Sequence, residues 1–256
     1  MSEHQQPLLD MRGITIVFGG LTALDQVSSK VYPGQIKAII GPNGAGKTTL
    51  FNIITGIYKP TSGHIVYNGE PIEELEPHIV ASKGITRTFQ TIRLFEGMTV
   101  LENVMLGRHL KTETGFLAAA LKLPRARREE AVTRAAAQEL LGFVDMTQYA
   151  DVNATDLPFG LQRRLEIARA LATEPSLILL DEPAAGLNNT ESQELTDLIR
   201  KIRERGVTVI LVEHDMDVVM GLVDEVLVLE YGRAIADDIP SAVQSNPEVI
   251  RAYLGE

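Results

Sequence analysis

Residues 35–54 run QIKAIIGPNGAGKTTLFNII. The β-rich run Ile36–Ile40 stops abruptly at a glycine, and an apolar helical run follows from Thr49 to Ile54. Between them GPNGAGKT, Gly41–Thr48, fits G-x-x-x-x-G-K-[ST] at every defined position. The strand before it and the helix after it are the context that separates a phosphate loop from a chance glycine-rich turn. Glycines let the backbone curl until successive N–H groups face phosphate oxygens, and the helix N-terminus adds partial positive charge. Lys47 is then expected to reach the β- and γ-phosphates, and the Thr48 hydroxyl to ligate Mg²⁺.

A second strand signal complements the first. LILL, 177–180, is a continuous apolar run, as in a strand buried on both faces, and it ends in Asp181 and Glu182. Alone, an acidic pair after a strand is a solvated turn. Beside the phosphate-loop strand it is placed to hold Mg²⁺ through Asp181 and to polarise an attacking water through Glu182. VTVILVEHD, 207–215, repeats the pattern, so His214 is expected on the same sheet edge, where parallel strands deliver ligand-binding residues. His4, His64, His78 and His109 carry no such context.

Working outward, ITIVF before Gly19-Gly20, a polar–apolar stretch up to Pro33-Gly34, and HIVYNG (64–69) read as strands and hairpins. From about Arg125 the spacing becomes helical, with Val132, Ala136, Leu140 and Phe143 on one expected face. A further helix is expected over 161–172, with Leu165 and Ala168 on its buried stripe. Leu195, Leu198, Ile199 and Ile202 mark another, and EVLVLE with Tyr231-Gly232-Arg233 marks a closing hairpin. Strand–helix alternation on both sides of a helical middle predicts an α/β core with a helical insertion. Residues 111–130 are the expected surface excursion.

Composition narrows the function classes. The 256 residues carry 24 Lys plus Arg against 34 Asp plus Glu, a formal net charge of −10. That balance argues against a nucleic-acid binder, which needs a basic face. No cysteine is present, which excludes thiol catalysis, disulfides and Cys-ligated metals. The start, MSEHQQPLLDMRG, lacks the basic and apolar regions of a signal peptide, and no apolar run has the length of a bilayer span. A cytoplasmic location without direct membrane insertion is expected.

In order along the chain stand Phe18, GPNGAGKTT, Gln90 in RTFQ, LPFGLQ (157–162) before RRLEIARAL, LILLDEP and His214. Together they resemble the nucleotide-binding subunit of ATP-binding cassette (ABC) transporters, over nearly the whole chain. GGLTALD, RTFQTIRLFEGMTVLENV, DEPAAGLN, EHDMDVVMG and NPEVIRAYLGE resemble, more narrowly, the LivG type, the larger of the two ATPases of branched-chain amino-acid uptake systems. The resemblance implies one domain over residues 1–256: a RecA-like P-loop NTPase core, an N-terminal antiparallel β subdomain, and a helical subdomain inserted at about 91–172. By resemblance Phe18, by default a strand or core aromatic, stacks on adenine. Gly41 and the loop Asn43, Gly44, Ala45, Gly46, Lys47, Thr48 and Thr49 wrap the phosphates of ATP. Thr48 and Gln90, on its own only a surface glutamine, coordinate Mg²⁺, and Gln90 also reports nucleotide state to the membrane partner. Asp181 holds the metal through water, Glu182 activates the attacking water, and His214 contacts the γ-phosphate. LPFGLQ stands at the signature position that binds the opposite subunit's ATP.

That segment departs from the common LSGGQ. Pro158 replaces the Ser and lacks an N–H, while Gly160 and the following helix N-terminus remain. Asn188 stands where many cassettes have Asp. The implied partners are transmembrane permease subunits and a second cassette, either a LivF-like ATPase or another copy of the chain. Ile92, Leu94, Phe95 and Met98 are candidates to receive a permease helix, or to pack the helical subdomain. Arg125, Arg127 and Arg128 are a candidate lipid-facing cluster or a solvated helix start. A DNA-repair or ribosome-associated ATPase is disfavoured by the absence of a coiled-coil insertion or second cassette. A non-hydrolysing regulator is disfavoured by the presence of both Glu182 and His214. Urea uptake and lipopolysaccharide export are the alternatives within transporters.

Overall fold

The computed structural model describes residues 6–88, 91–108, 124–213 and 216–254, with 124–127, 216–218 and 254 described by backbone alone. The chain divides into two compact units, Met1–Arg87 with Ser176–Glu256, and Thr88–Pro175. Elements are numbered along the chain, so α3 (Val100–Gly107), α4 (Pro124–Phe143) and α5 (Phe159–Leu171) belong to the second unit.

In the first unit β1 (Leu9–Phe18) pairs antiparallel with β2 (Leu21–Val31) and with β4 (Ser62–Tyr67), and β5 (Glu70–Pro71) completes the order β2-β1-β4-β5. Gly19 and Gly20 both have positive φ, 52° and 89°, the conformation a two-residue hairpin loop demands. The second sheet holds β3 (Ile36–Ile40), β6 (Ile85–Arg87), β7 (Leu177–Asp181), β8 (Thr208–Val212) and β9 (Glu225–Glu230), all parallel. The antiparallel strand β10 (Arg233–Asp238) closes one edge, giving β10-β9-β3-β8-β7-β6. Every residue of β3, β7 and β8 is buried, which is why these strands read as mainly apolar runs rather than alternating ones. Helices α1 (Lys47–Ile54), α2 (Pro77–Ser82), α6 (Asn189–Glu204), α7 (Met216–Leu222), α8 (Pro240–Gln244) and α9 (Pro247–Leu254) accompany the sheets. One apolar core, including Ile14, Leu24, Phe51, Ile65, Leu179 and Leu227, joins both sheets.

One expectation needs correcting here. The acidic pair does not end a strand adjacent to the phosphate-loop strand: β8 lies between β3 and β7. Two inter-strand spacings, about 10 Å, therefore separate the loop strand from Asp181. Adjacency could not be read because two apolar strands of equal character follow the loop and either could neighbour it. The run QIKAII also hides a buried charge. Lys37 is 2% exposed, and its ammonium reaches Lys30 O at 2.8 Å, Glu225 Oε2 at 3.1 Å and Asp237 Oδ1 at 2.6 Å. These groups line a cavity of about 510 Å³ with Asp10, Ser29 and Tyr32. A lysine tolerates this position because its stem packs as hydrocarbon while its head finds carboxylates.

In the second unit α3 (Val100–Gly107) packs against α4 (Pro124–Phe143) and α5 (Phe159–Leu171). Thr99 and Glu102 form a reciprocal capping box at the start of α3. Gly107 permits the α3–α5 approach, since a Cβ there would lie 2.3 Å from the Arg169 carbonyl. The expected α4 stripe is displaced by one position: Thr133, Ala137 and Leu141 are buried, whereas Val132 is 60% exposed. Spacing fixes the angle between residues but not the side on which the partner packs. Of the four apolar residues offered as a permease surface, only Phe95 is exposed; Ile92, Leu94 and Met98 are half-buried. The Arg169 guanidinium sits 5.4 Å from the Phe95 ring centroid, so even that aromatic has a neighbour. Arg128 is exposed, and the side chains of Arg125 and Arg127 lie outside the described residues.

Candidate active site

The phosphate loop is built by close packing before it can bind anything. Gly41 has φ 147°, and a Cβ on it would lie 2.0 Å from the Leu229 carbonyl. Gly46, the N-cap of α1 with φ 105°, would put a Cβ 2.6 Å from Leu24 Cδ2 and 2.9 Å from the Ala23 carbonyl. Gly44 differs: φ is 80°, and nothing lies within 4 Å of a Cβ there. So the outer glycines let the loop sit against its own scaffold, and the middle one keeps its face open for a ligand. The loop is backed by the β9–β10 turn, where the Gly232 N–H donates to the Ala45 carbonyl at 3.1 Å. With glycine as N-cap, the first turn of α1 receives no side-chain oxygen, so an anion can take that place.

Lys47, the first residue of α1, is 7% exposed and donates to Gly41 O at 2.6 Å and Pro42 O at 3.0 Å. Burial lowers its ammonium below the ordinary lysine value, while the charges of Glu182 and Asp181 act in the opposite direction. Asp181 is 3% exposed. Glu182 is half-buried with φ 47°, a left-handed conformation that costs a non-glycine residue, and its N–H donates to Val212 O at 2.9 Å. The Thr48 hydroxyl is on an exposed side chain of the first turn, with Thr49 half-buried beside it. Thr48 and Asp181 offer oxygen donors, the kind a hard divalent cation such as Mg²⁺ prefers, so the side chains present fit that ion.

Phe18 is not a core aromatic. It ends β1 43% exposed, and its ring meets Tyr58 edge-on, with centroids 5.2 Å apart. Gln90 and His214 lie outside the described residues. In the second unit, Pro158 is the N-cap of α5 and Gly160 its second residue, half-buried, so the departure from Ser does not prevent the helix from starting. Arg163 and Glu166 form a buried pair at 2.8 Å one turn on. In the first unit, the Asn188 side chain accepts from the Glu191 N–H and caps α6 in a capping box.

Four residues escaped the sequence reading. Arg87 donates to Asp181 and Asn52, and the Glu213 carboxylate accepts from the Ala184 N–H at 2.7 Å. Burial pushes the phenol of Tyr253, on α9, above its ordinary value, against the Gly41 backbone, which draws its pKa down. The available signals were Arg87 as a charge ending the short strand Ile85–Arg87, and Glu213 directly after the buried run Thr208–Val212. Asn52 and Tyr253 carried none.

Comparison with known proteins agrees with this geometry. The ABC transporter family profile matches residues 24–185, and the branched-chain amino acid ATP-binding cassette transporter profile matches residues 235–256. The chain is 48% identical over 252 residues to the high-affinity branched-chain amino acid transport ATP-binding protein BraF of Pseudomonas aeruginosa, covering 98% of this chain and 99% of that one. To LivG of Escherichia coli K12 it is 45% identical over the same shares. Among solved structures, the ADP conformation of an ATP-binding cassette of an ABC transporter superposes with a TM-score of 0.85 at 33% identity, covering 98% of this chain and 100% of that one. A dimeric post-hydrolysis cassette bound to ADP and Pi gives a TM-score of 0.76 at 27% identity, covering 91% and 98%. The chain belongs to the ABC transporter ATP-binding family, in its branched-chain amino acid branch.

Proposed function

We propose that the chain is the ATP-hydrolysing subunit of an importer for branched-chain amino acids. The observation that carries the chemistry is the placement of the phosphate loop after β3 and of Asp181 and Glu182 at the same end of β7, two strands away in one parallel sheet. One cation to grip phosphate and two carboxylates within its field suit phosphoryl transfer to water. The substrate class is supported by the family-specific segment 235–256 and by the relatives named for branched-chain amino acid transport.

In this reading the open face at Gly44, the N-terminus of α1 and Lys47 bind the phosphates, and Phe18 supplies an exposed ring for the base. Thr48, Gln90 and, through water, Asp181 would hold Mg²⁺, which when bound offsets phosphate charge. Glu182 takes a proton from the attacking water as its oxygen bonds to the γ-phosphorus in line. The β–γ bridging P–O bond breaks, and ADP leaves with the electron pair. His214 contacts the γ-phosphate. Gly160 and the N-terminus of α5 serve the ATP of a second cassette, either another copy or a LivF-like subunit.

Among the described residues no helix is long and apolar enough to cross a membrane, so the work is delivered through permease subunits to which this subunit docks. The test is uptake in cells that carry Lys47→Ala as their only copy. Radiolabelled leucine uptake should fall to background while urea uptake stays unchanged. Intact leucine uptake would refute the reading, and loss of urea uptake alone would move the chain to the urea system.

A further inference from the structure

The first unit's N-terminal segment ends at Arg87, the last residue of β6. Its side chain is 7% exposed and that of Asp181 5%. One guanidinium nitrogen, Nη2, donates to Asp181 Oδ2 at 2.6 Å, and the other, Nη1, donates to Asn52 Oδ1 at 2.6 Å. The guanidinium carbon lies 5.3 Å from the Phe51 ring centroid. A single side chain thus ties β6, β7 and the phosphate-loop helix α1 together.

Stability alone is a poor reason for this arrangement. A buried ion pair loses most of its Coulomb gain to desolvation, and an apolar side chain against Phe51 would serve packing as well. Asn52 is neutral, whereas Asp181, the carboxylate read above as holding the metal, forms an ion pair with Arg87. The planar fork matters as well: two donors at a fixed angle set Asp181 relative to α1, which a flexible ammonium cannot do. We propose that Arg87 is a positioning residue that fixes the Asp181 carboxylate against the phosphate-loop helix and thereby sets how much a divalent metal strengthens nucleotide binding. The proposal rests on the nucleotide reading and extends it to a residue that acts through Asp181.

The experiment titrates a non-hydrolysable ATP analogue into the full chain by calorimetry, once with Mg²⁺ and once with EDTA, for the unsubstituted chain, Arg87→Lys, Arg87→Met and Asn52→Ala. Melting temperatures are recorded alongside. In both Arg87 variants the ratio of the two dissociation constants should shrink by about 10- to 100-fold, as for other residues that hold a metal ligand in place, with the EDTA value moving less than about threefold. Asn52→Ala keeps the ion pair but loses the tie to α1, so it should fall between. If Arg87→Met does not fold, Arg87→Lys and Asn52→Ala decide. Folded variants that keep the unsubstituted ratio overturn the proposal, whatever their melting temperatures, and so does a parallel weakening in both buffers. A chain that binds no nucleotide in either buffer refutes the nucleotide reading itself.

Discussion

Single residues of the loop divide by what they face. Gly41 faces the Leu229 carbonyl at a distance no Cβ can occupy, whereas Gly44 faces open space. Gly41→Ala should therefore unfold or grossly destabilise the chain, read as loss of soluble protein or a collapsed melting temperature. Gly44→Ala should cost only the left-handed penalty of about 1–2 kcal/mol, yet weaken ATP binding measured by calorimetry. Equal effects of the two on stability would contradict this division. Glu182 shows the opposite economy. A glutamate is held at φ 47°, where glycine would be relaxed, directly after a buried aspartate. Strain at such a position is sustained by its surroundings, here the bond from its own N–H to the Val212 carbonyl.

Elements place these residues, and their legibility differed for physical reasons. The strands β7 and β8 were readable because full burial keeps Leu177–Leu180 and Val209–Val212 apolar, β3 because Lys37 is the one polar residue in its run, and α6 because its four apolar positions face one side. Strand order was not readable, since β8 intervenes between β3 and β7 through contacts distant in sequence. The face of α4 was misplaced by one residue, because small residues such as Ala137 pack as well as the larger Val132 would. Lys37 was invisible in an apolar run because its partners, Glu225 and Asp237, come from β9 and β10. Lys37→Met should cost about 3 kcal/mol, by leaving two half-buried carboxylates without their cation. Denaturant unfolding measures this, and a change below about 0.5 kcal/mol would show that the cluster is solvated rather than structural.

For the whole molecule, the fold class was legible from the alternation of strands and helices, and the candidate site only in its local motifs. The phosphate-loop spacing and an acidic strand end are local features, whereas the exposure of Phe18 and the ties made by Arg87 and Asn52 depend on tertiary contacts that no spacing encodes. The net charge of −10 also changes meaning. It bars a basic nucleic-acid surface but does not bar a polyanionic ligand, because one lysine, a helix N-terminus and a metal can neutralise phosphate locally. In the proposed reaction Glu182 is the base for water attack on MgATP. The direct measurement is ATP hydrolysis by Glu182→Gln beside its ATP affinity, in the presence of Mg²⁺. Affinity close to that of the unsubstituted chain, with hydrolysis reduced by about 100-fold or more, is predicted. Hydrolysis at the unsubstituted rate would contradict it.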